Sequence, residues 1–99
     1  MMRLSWSLSP AAARDIRRIA EKSREDWGLD HAIGYAEALF AALGHIAEYP
    51  AAGRHRDDLQ EGLRSWSVRS HIAFYRVSDG RVEVARVLHH RQDPRRAFG

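Results

Sequence analysis

The sequence predicts an α+β fold in two layers: an N-terminal strand, then an antiparallel helical hairpin packed on a small antiparallel sheet with a C-terminal three-stranded meander. Three observations carry this expectation. Residues 3–8 alternate apolar and polar side chains, the period of a half-buried strand. Residues 10–27 and 30–49 repeat apolar positions every three or four residues, as amphipathic helices do. Residues 62–93 then hold three alternating runs separated by turn signals. The 99 residues are read as one domain, 1–99, and the chain has no cysteine. Disulfides and thiolate metal sites are therefore excluded, and packing must hold the fold.

In the first strand Leu4, Trp6 and Leu8 oppose Arg3, Ser5 and Ser7. Ser9-Pro10 is a helix start, a capping hydroxyl followed by a proline in the first turn. Ala12, Ile16, Ile19, Ala20, Ser23 and Trp27 form the apolar face of that helix, and Gly28 ends it. Asp30 is the expected cap of the second helix, whose stripe is Ala32, Ala36, Leu39, Leu43, Ile46 and Ala47. Ile33 and Phe40 are read as widening that stripe. Tyr49-Pro50 stops the helix, because a residue before proline is pushed out of helical space. A connection of two or three residues makes the helices an antiparallel hairpin.

Residues 51–62 read as a polar connection. The next strand covers about 63–69, with Arg64, Trp66 and Val68 on one face, and a tight turn at Arg69-Ser70 leads into 71–77. There Ile72, Phe74 and Arg76 oppose His71, Ala73, Tyr75 and Val77. Asp79-Gly80 is a strong hairpin signal, since glycine accepts the positive φ of such turns. In the last strand Val82, Val84, Arg86 and Leu88 alternate with Glu83, Ala85, Val87 and His89. The tail from His90 is basic, broken by Pro94 and too short to fold alone. The sheet face away from the helices is expected to stay open.

Net charge is +3, and its distribution is uneven: residues 1–49 carry six basic and seven acidic groups, residues 50–99 ten and six. Fifteen of the sixteen basic residues are arginine. A GC-rich genome would produce that bias, and so would selection for guanidinium, which grips carboxylate and phosphate in bidentate fashion. No run approaches the ~20 apolar residues of a membrane span. The N-terminus lacks a secretory apolar core. The chain is expected in the cytoplasm.

Chemistry has few candidates. His89 and His90 are neighbours on a strand, so their rings should point to opposite faces and not share an ion. His71 and His89 can meet across strands, but a third ligand is missing. Neither a metal nor a cofactor is expected. No serine sits in a nucleophile elbow, and no glycine-rich phosphate loop is present. Tyr75, Arg86, His89, His90 and Arg91 do supply the residue types of a small ribonuclease, a proton carrier beside guanidinium. A basic surface that binds nucleic acid or an acidic protein explains the same residues.

Three pieces of the chain together resemble the ParE toxins of the ParE/RelE toxin–antitoxin superfamily. They are Ser9-Pro10 through Trp27-Gly28; Pro50, Gly53-Arg54 and Leu63-Arg64-Ser65; and Phe74-Tyr75-Arg76-Val77 followed by Arg86-Val87-Leu88-His89. The resemblance implies a type II toxin neutralised by a ParD-like antitoxin that wraps it. It implies contact with operator DNA only through that antitoxin, no membrane, and DNA gyrase as target. The antitoxin is expected on Ile33, Glu37 and Phe40 of the helices and on Trp66, Val68, His71, Tyr75 and Arg86 of the sheet. Target inhibition is assigned to Arg86, His89, Arg91, Arg95 and Arg96. The alternative is a RelE-like ribosome-dependent endoribonuclease using Arg86, His89 and Arg91. The tail after Arg91 has no tyrosine, a departure from the ribonuclease pattern that favours the gyrase branch.

Overall fold

The computed structural model describes residues 3–98. Its elements are β1 (Ser5–Leu8), α1 (Pro10–Trp27), α2 (Leu29–Glu48), β2 (Arg54–His55), β3 (Arg64–Val68), β4 (His71–Ser78), β5 (Arg81–His89) and α3 (Arg95–Phe98). The helix boundaries follow their local signals. The Ser9 side chain accepts a hydrogen bond from the Ala12 N–H at 3.0 Å, satisfying one of the donors that every helix start leaves free. Gly28 alone joins the helices, at φ 94°, a conformation open to glycine. The second helix therefore begins at Leu29, and Asp30 lies in its first turn instead of capping it.

The sheet is mixed, in the order β1-β5-β4-β3-β2. The meander β3-β4-β5 is antiparallel, with tight turns at Arg69 (φ 53°) and Asp79-Gly80 (φ 51° and 70°). β1 pairs parallel with the first half of β5, Ser5 opposite Arg81 and Leu8 opposite Val84. The hairpin α1–α2 lies between β1 and the meander in sequence and supplies the long crossover that a parallel pairing needs. The connection 51–62, expected to be polar loop throughout, contributes the edge strand β2, paired with β3.

A β-bulge decides which way β5 faces. Phe74 pairs with Arg86 but Tyr75 pairs with Val84, so Ala85 is the extra residue. The simple alternation expected along this strand breaks there. Val82, Val84 and Val87 share the helix-side core with Leu39, Leu43, Ile46 and Tyr75. Leu88 instead joins Phe74 and Leu63 on the opposite face. That face is not open as expected. Leu59 from the connection and Ala97 and Phe98 from the tail pack over it, the Phe98 ring 5.3 Å from that of Phe74. The tail thus forms a helical turn with an anchor. On α2, Ile33 and Phe40 are exposed and do not widen the buried stripe; Tyr35 is buried there instead.

Beyond β1, the second half of β5 would be a bare sheet edge. The start of α1 covers it. Ser9 Oγ donates to the Ala85 carbonyl at 2.7 Å, and the Asp15 carboxylate accepts from the Val87 N–H at 2.9 Å. Unpaired strand groups are thereby satisfied from a helix, one of the usual ways of protecting an edge.

Candidate functional site

Three surface features carry chemistry. The first is a stripe on α2. Leu29, Ile33 and Phe40 lie at helical spacing and are 56%, 48% and 43% exposed, with Glu37 between the last two. Trp6 of the edge strand packs on Phe40, ring centroids 5.9 Å apart, and extends the patch onto the sheet. Scattered exposed apolar residues are ordinary, but these share one face of the helix, with Glu37 set among them.

The second is a cavity of about 590 Å³ where the tip of the helical hairpin meets the β3–β4 turn. Tyr35 forms its floor. The Tyr35 hydroxyl accepts from the Ser70 N–H at 3.1 Å and lies 2.5 Å from His71 Nδ1. With its acceptor side occupied by Ser70, the hydroxyl is arranged to donate to a neutral His71. The His71 and His89 rings meet edge-on at 5.2 Å, from directly opposed positions on β4 and β5. His89 Nδ1 in turn accepts from the Arg91 N–H at 3.1 Å.

Burial pushes the pKa of His71 down, and the neighbouring His89 and His90 push it further the same way. His89 is lowered as well, by desolvation and then by His90 and Arg91. A histidine whose folded pKa lies below its unfolded value stabilises the fold above the unfolded pKa, here about 6.5. That stability is lost as pH falls through the folded pKa. Thermal unfolding should therefore move to lower temperature between pH 6.5 and pH 5. The fall should be shallower in His71→Asn, and equal slopes in the two proteins would contradict this account.

The third feature is a more polar cavity of about 540 Å³ lined by Arg86, Leu88, Arg91, Gln92, Asp93 and Arg96. Arg86 is held on one side by a bidentate pair to Asp15, Nε–Oδ2 2.7 Å and Nη2–Oδ1 3.0 Å. Arg95 is turned away into an exposed pair with Asp93 at 3.0 Å.

The structure sorts the residues singled out from sequence. Ile33, Glu37 and Phe40 share one exposed helix face. Trp66 is half-buried, its ring 5.0 Å from His45 of α2, and His71 lies in the hairpin-tip cavity. Val68 and Tyr75 belong to the core and offer no surface for contact. The Tyr75 hydroxyl is consumed internally, donating to the Pro50 carbonyl at 2.8 Å and accepting from the Gly53 N–H at 2.9 Å. Arg86, Arg91 and Arg96 do converge, but His89 lines the other cavity. The expectation that His89 and His90 diverge also fails. β5 ends at His89, strand alternation stops, and the two rings stack at 4.4 Å. Tyr35, Arg69 and the exposed Trp27 were missed as cavity residues. Tyr35 sits three residues after Ala32 and four before Leu39, on the buried stripe, and that spacing was the available signal. Among the described residues no group of three or more His, Cys, Asp or Glu is placed to hold a metal ion.

Comparison with known proteins agrees with this architecture. Residues 7–94 match the family model of the ParE toxin of the type II toxin–antitoxin system parDE. Toxin ParE1 of Mycobacterium tuberculosis is 39% identical over 89 residues, covering 89% of this chain and 91% of the relative. Toxin ParE1 of Caulobacter vibrioides is 38% identical over 94 residues, covering 95% and 97%. A chain of the chromosomal ParDE system from P. aeruginosa superposes with a TM-score of 0.76 at 17% identity, over 88% of this chain and 96% of that one. A chain of the toxin–antitoxin complex RelBE2 from Mycobacterium tuberculosis superposes with a TM-score of 0.58 at 20% identity, over 90% and 100%. Their likeness is one of fold, a helical hairpin on a mixed sheet. With a family match over most of its length and relatives near 39% identity, the chain belongs to the ParE toxin family of type II toxin–antitoxin systems.

Proposed function

We propose that this ParE toxin is neutralised by a ParD-like antitoxin seated on α2, and that free toxin inhibits DNA gyrase in the cytoplasm through its basic cavity. The exposed stripe Leu29, Ile33 and Phe40, continued by Trp6, carries the first part. An amphipathic partner helix reads such a stripe through anchors at the same spacing. Arg86, Arg91 and Arg96 around one cavity support the second part. Arg95, paired to Asp93, contributes less. The ribonuclease reading needs His89 in one site with Arg86 and Arg91; His89 accepts from the Arg91 N–H but lines the other cavity, which favours inhibition without catalysis. No described helix is long and apolar enough to cross a membrane.

The test is complex formation with the protein encoded beside this toxin. Phe40→Asp places a charge beside Trp6 on the stripe, at a position outside the buried core. It should weaken the complex about 100-fold, the effect of losing a central anchor. Its melting temperature should stay near that of the parent. Unchanged affinity would remove α2 from the interface. In a supercoiling assay, purified toxin should inhibit gyrase, and Arg91→Ala with Arg96→Ala should relieve the inhibition. Cleaved messages with uninhibited gyrase would instead select the ribonuclease.

A further inference from the structure

The cavity at the hairpin tip has more specific features than a gap between elements. Its wall includes the buried Ser23. Trp27, Tyr35 and His71 supply aromatic surface around it. Two guanidinium groups stand at its rim, Arg18 from α1 and Arg69 from the β3–β4 turn. Neither pairs with a carboxylate among the described residues, whereas Lys22 nearby is occupied by Asp26 at 3.3 Å. Arg69 also holds φ 53°, where glycine or asparagine would sit more easily. Its guanidinium lies over the Tyr35 ring, 5.4 Å from the centroid. A strained arginine without an ionic partner, stacked at the mouth of an aromatic cavity, is arranged for an external carboxylate.

We infer that this cavity is the anchor pocket of the partner interface. It takes one tryptophan or tyrosine side chain of an acidic segment, with a flanking carboxylate on Arg18 and Arg69. Such a side chain has an apolar body for the aromatic walls and a polar tip that can stay at the solvent-facing mouth. An acidic segment complements the two free cations, and the cavity adjoins the exposed start of α2, where Trp27 and Leu29 are 71% and 56% exposed. This deepens the proposed antitoxin interface and rests on it.

The probe is N-acetyl-L-tryptophan, which offers ring and carboxylate together, titrated into nitrogen-15-labelled toxin. Chemical shifts of the Ser23 and Ser70 amides and the Trp27 indole N–H should move together, with affinity in roughly the millimolar range expected for so small a ligand. N-acetyl-tryptophanamide, with the ring but no charge, should bind at least 5-fold more weakly. N-acetylglycine, with the charge but no ring, should leave these signals unmoved. Arg69→Gly accepts the same φ without strain and should lower N-acetyl-L-tryptophan affinity at least 5-fold while keeping the fold. Phe40→Asp should leave probe binding unchanged. Scattered or absent shifts, or equal response to N-acetylglycine, would overturn the pocket. The neighbouring-frame protein should compete with the probe. A complex that forms without displacing it would overturn the anchor role and leave the α2 interface standing. Failure of the complex to form at all would overturn the interface and the anchor role together, whatever the probe does.

Discussion

Tyr75→Ala is expected to destabilise the fold by about 5 kcal/mol. Deleting a buried aromatic ring costs roughly 3–5 kcal/mol, and stranding buried polar groups adds roughly 1–3 kcal/mol each. Both costs arise here. Tyr75 is 0% exposed in the helix-side core, and its hydroxyl bridges Pro50 and Gly53. The fit is close on both sides, since a Cβ on Gly53 would lie 2.7 Å from Tyr75 Cε1. A domain of this size has about 5–15 kcal/mol in total, at roughly 4–8 °C of melting temperature per kcal/mol. The variant should therefore melt more than 20 °C lower or fail to fold. Tyr75→Phe keeps the ring and should lose only about 1–2 kcal/mol. A Tyr75→Ala protein that melts near the parent and merely loses its partner would return Tyr75 to the interface.

Asp15→Ala should cost about 3 kcal/mol. Breaking a buried ion pair from one side strands the other charge, at roughly 3–5 kcal/mol when both are fully buried. The Arg86 side chain here is 26% exposed and that of Asp15 9%, so the lower end applies. The loss is not only ionic. Asp15 also accepts from the Val87 N–H at 2.9 Å, closing the part of β5 that β1 leaves bare. Arg86→Ala leaves that backbone bond in place and should be milder, about 1–2 kcal/mol. Combining the two should cost less than the sum, because they share one interaction. Strict additivity, measured by chemical denaturation, would show that the pair does not couple α1 to the sheet. This coupling also bears on function. Arg86 keeps its guanidinium on Asp15, so Arg91 and Arg96 are the freer cations of the basic cavity.

How much could be read beforehand depended on the range of the signal. Ser9-Pro10, Gly28 and Tyr49-Pro50 bounded both helices correctly, because capping and proline sterics act within a single turn. Asp79-Gly80 and Arg69-Ser70 placed both hairpin turns for the same reason. The bulge at Ala85 left no mark in the composition of β5. It exists in the pairing with β4 and reverses the facing of everything after it. Phe98 lies near the end of a tail with no local folding signal, and only its contact with Phe74 on β4 fixes it.

The candidate site divides in the same way. Ile33, Glu37 and Phe40 lie on one exposed helix face, although Ile33 and Phe40 had also been counted toward the core, since a stripe does not say which side meets the sheet. Arg86, His89 and Arg91 looked like one cluster because they are adjacent in sequence. Arg86 and His89, three residues apart on β5, point to different faces, and the strand ends before Arg91, so the three serve two cavities. By itself the sequence determined the two long helices, the four longer strands, their order and the family resemblance, which rest on local periodicity and short motifs. Only the tertiary structure decided which edge α1 protects, which sheet face the tail covers, and that Tyr35, His71 and His89 meet. Those outcomes depend on contacts between residues dozens of positions apart, which no local pattern records.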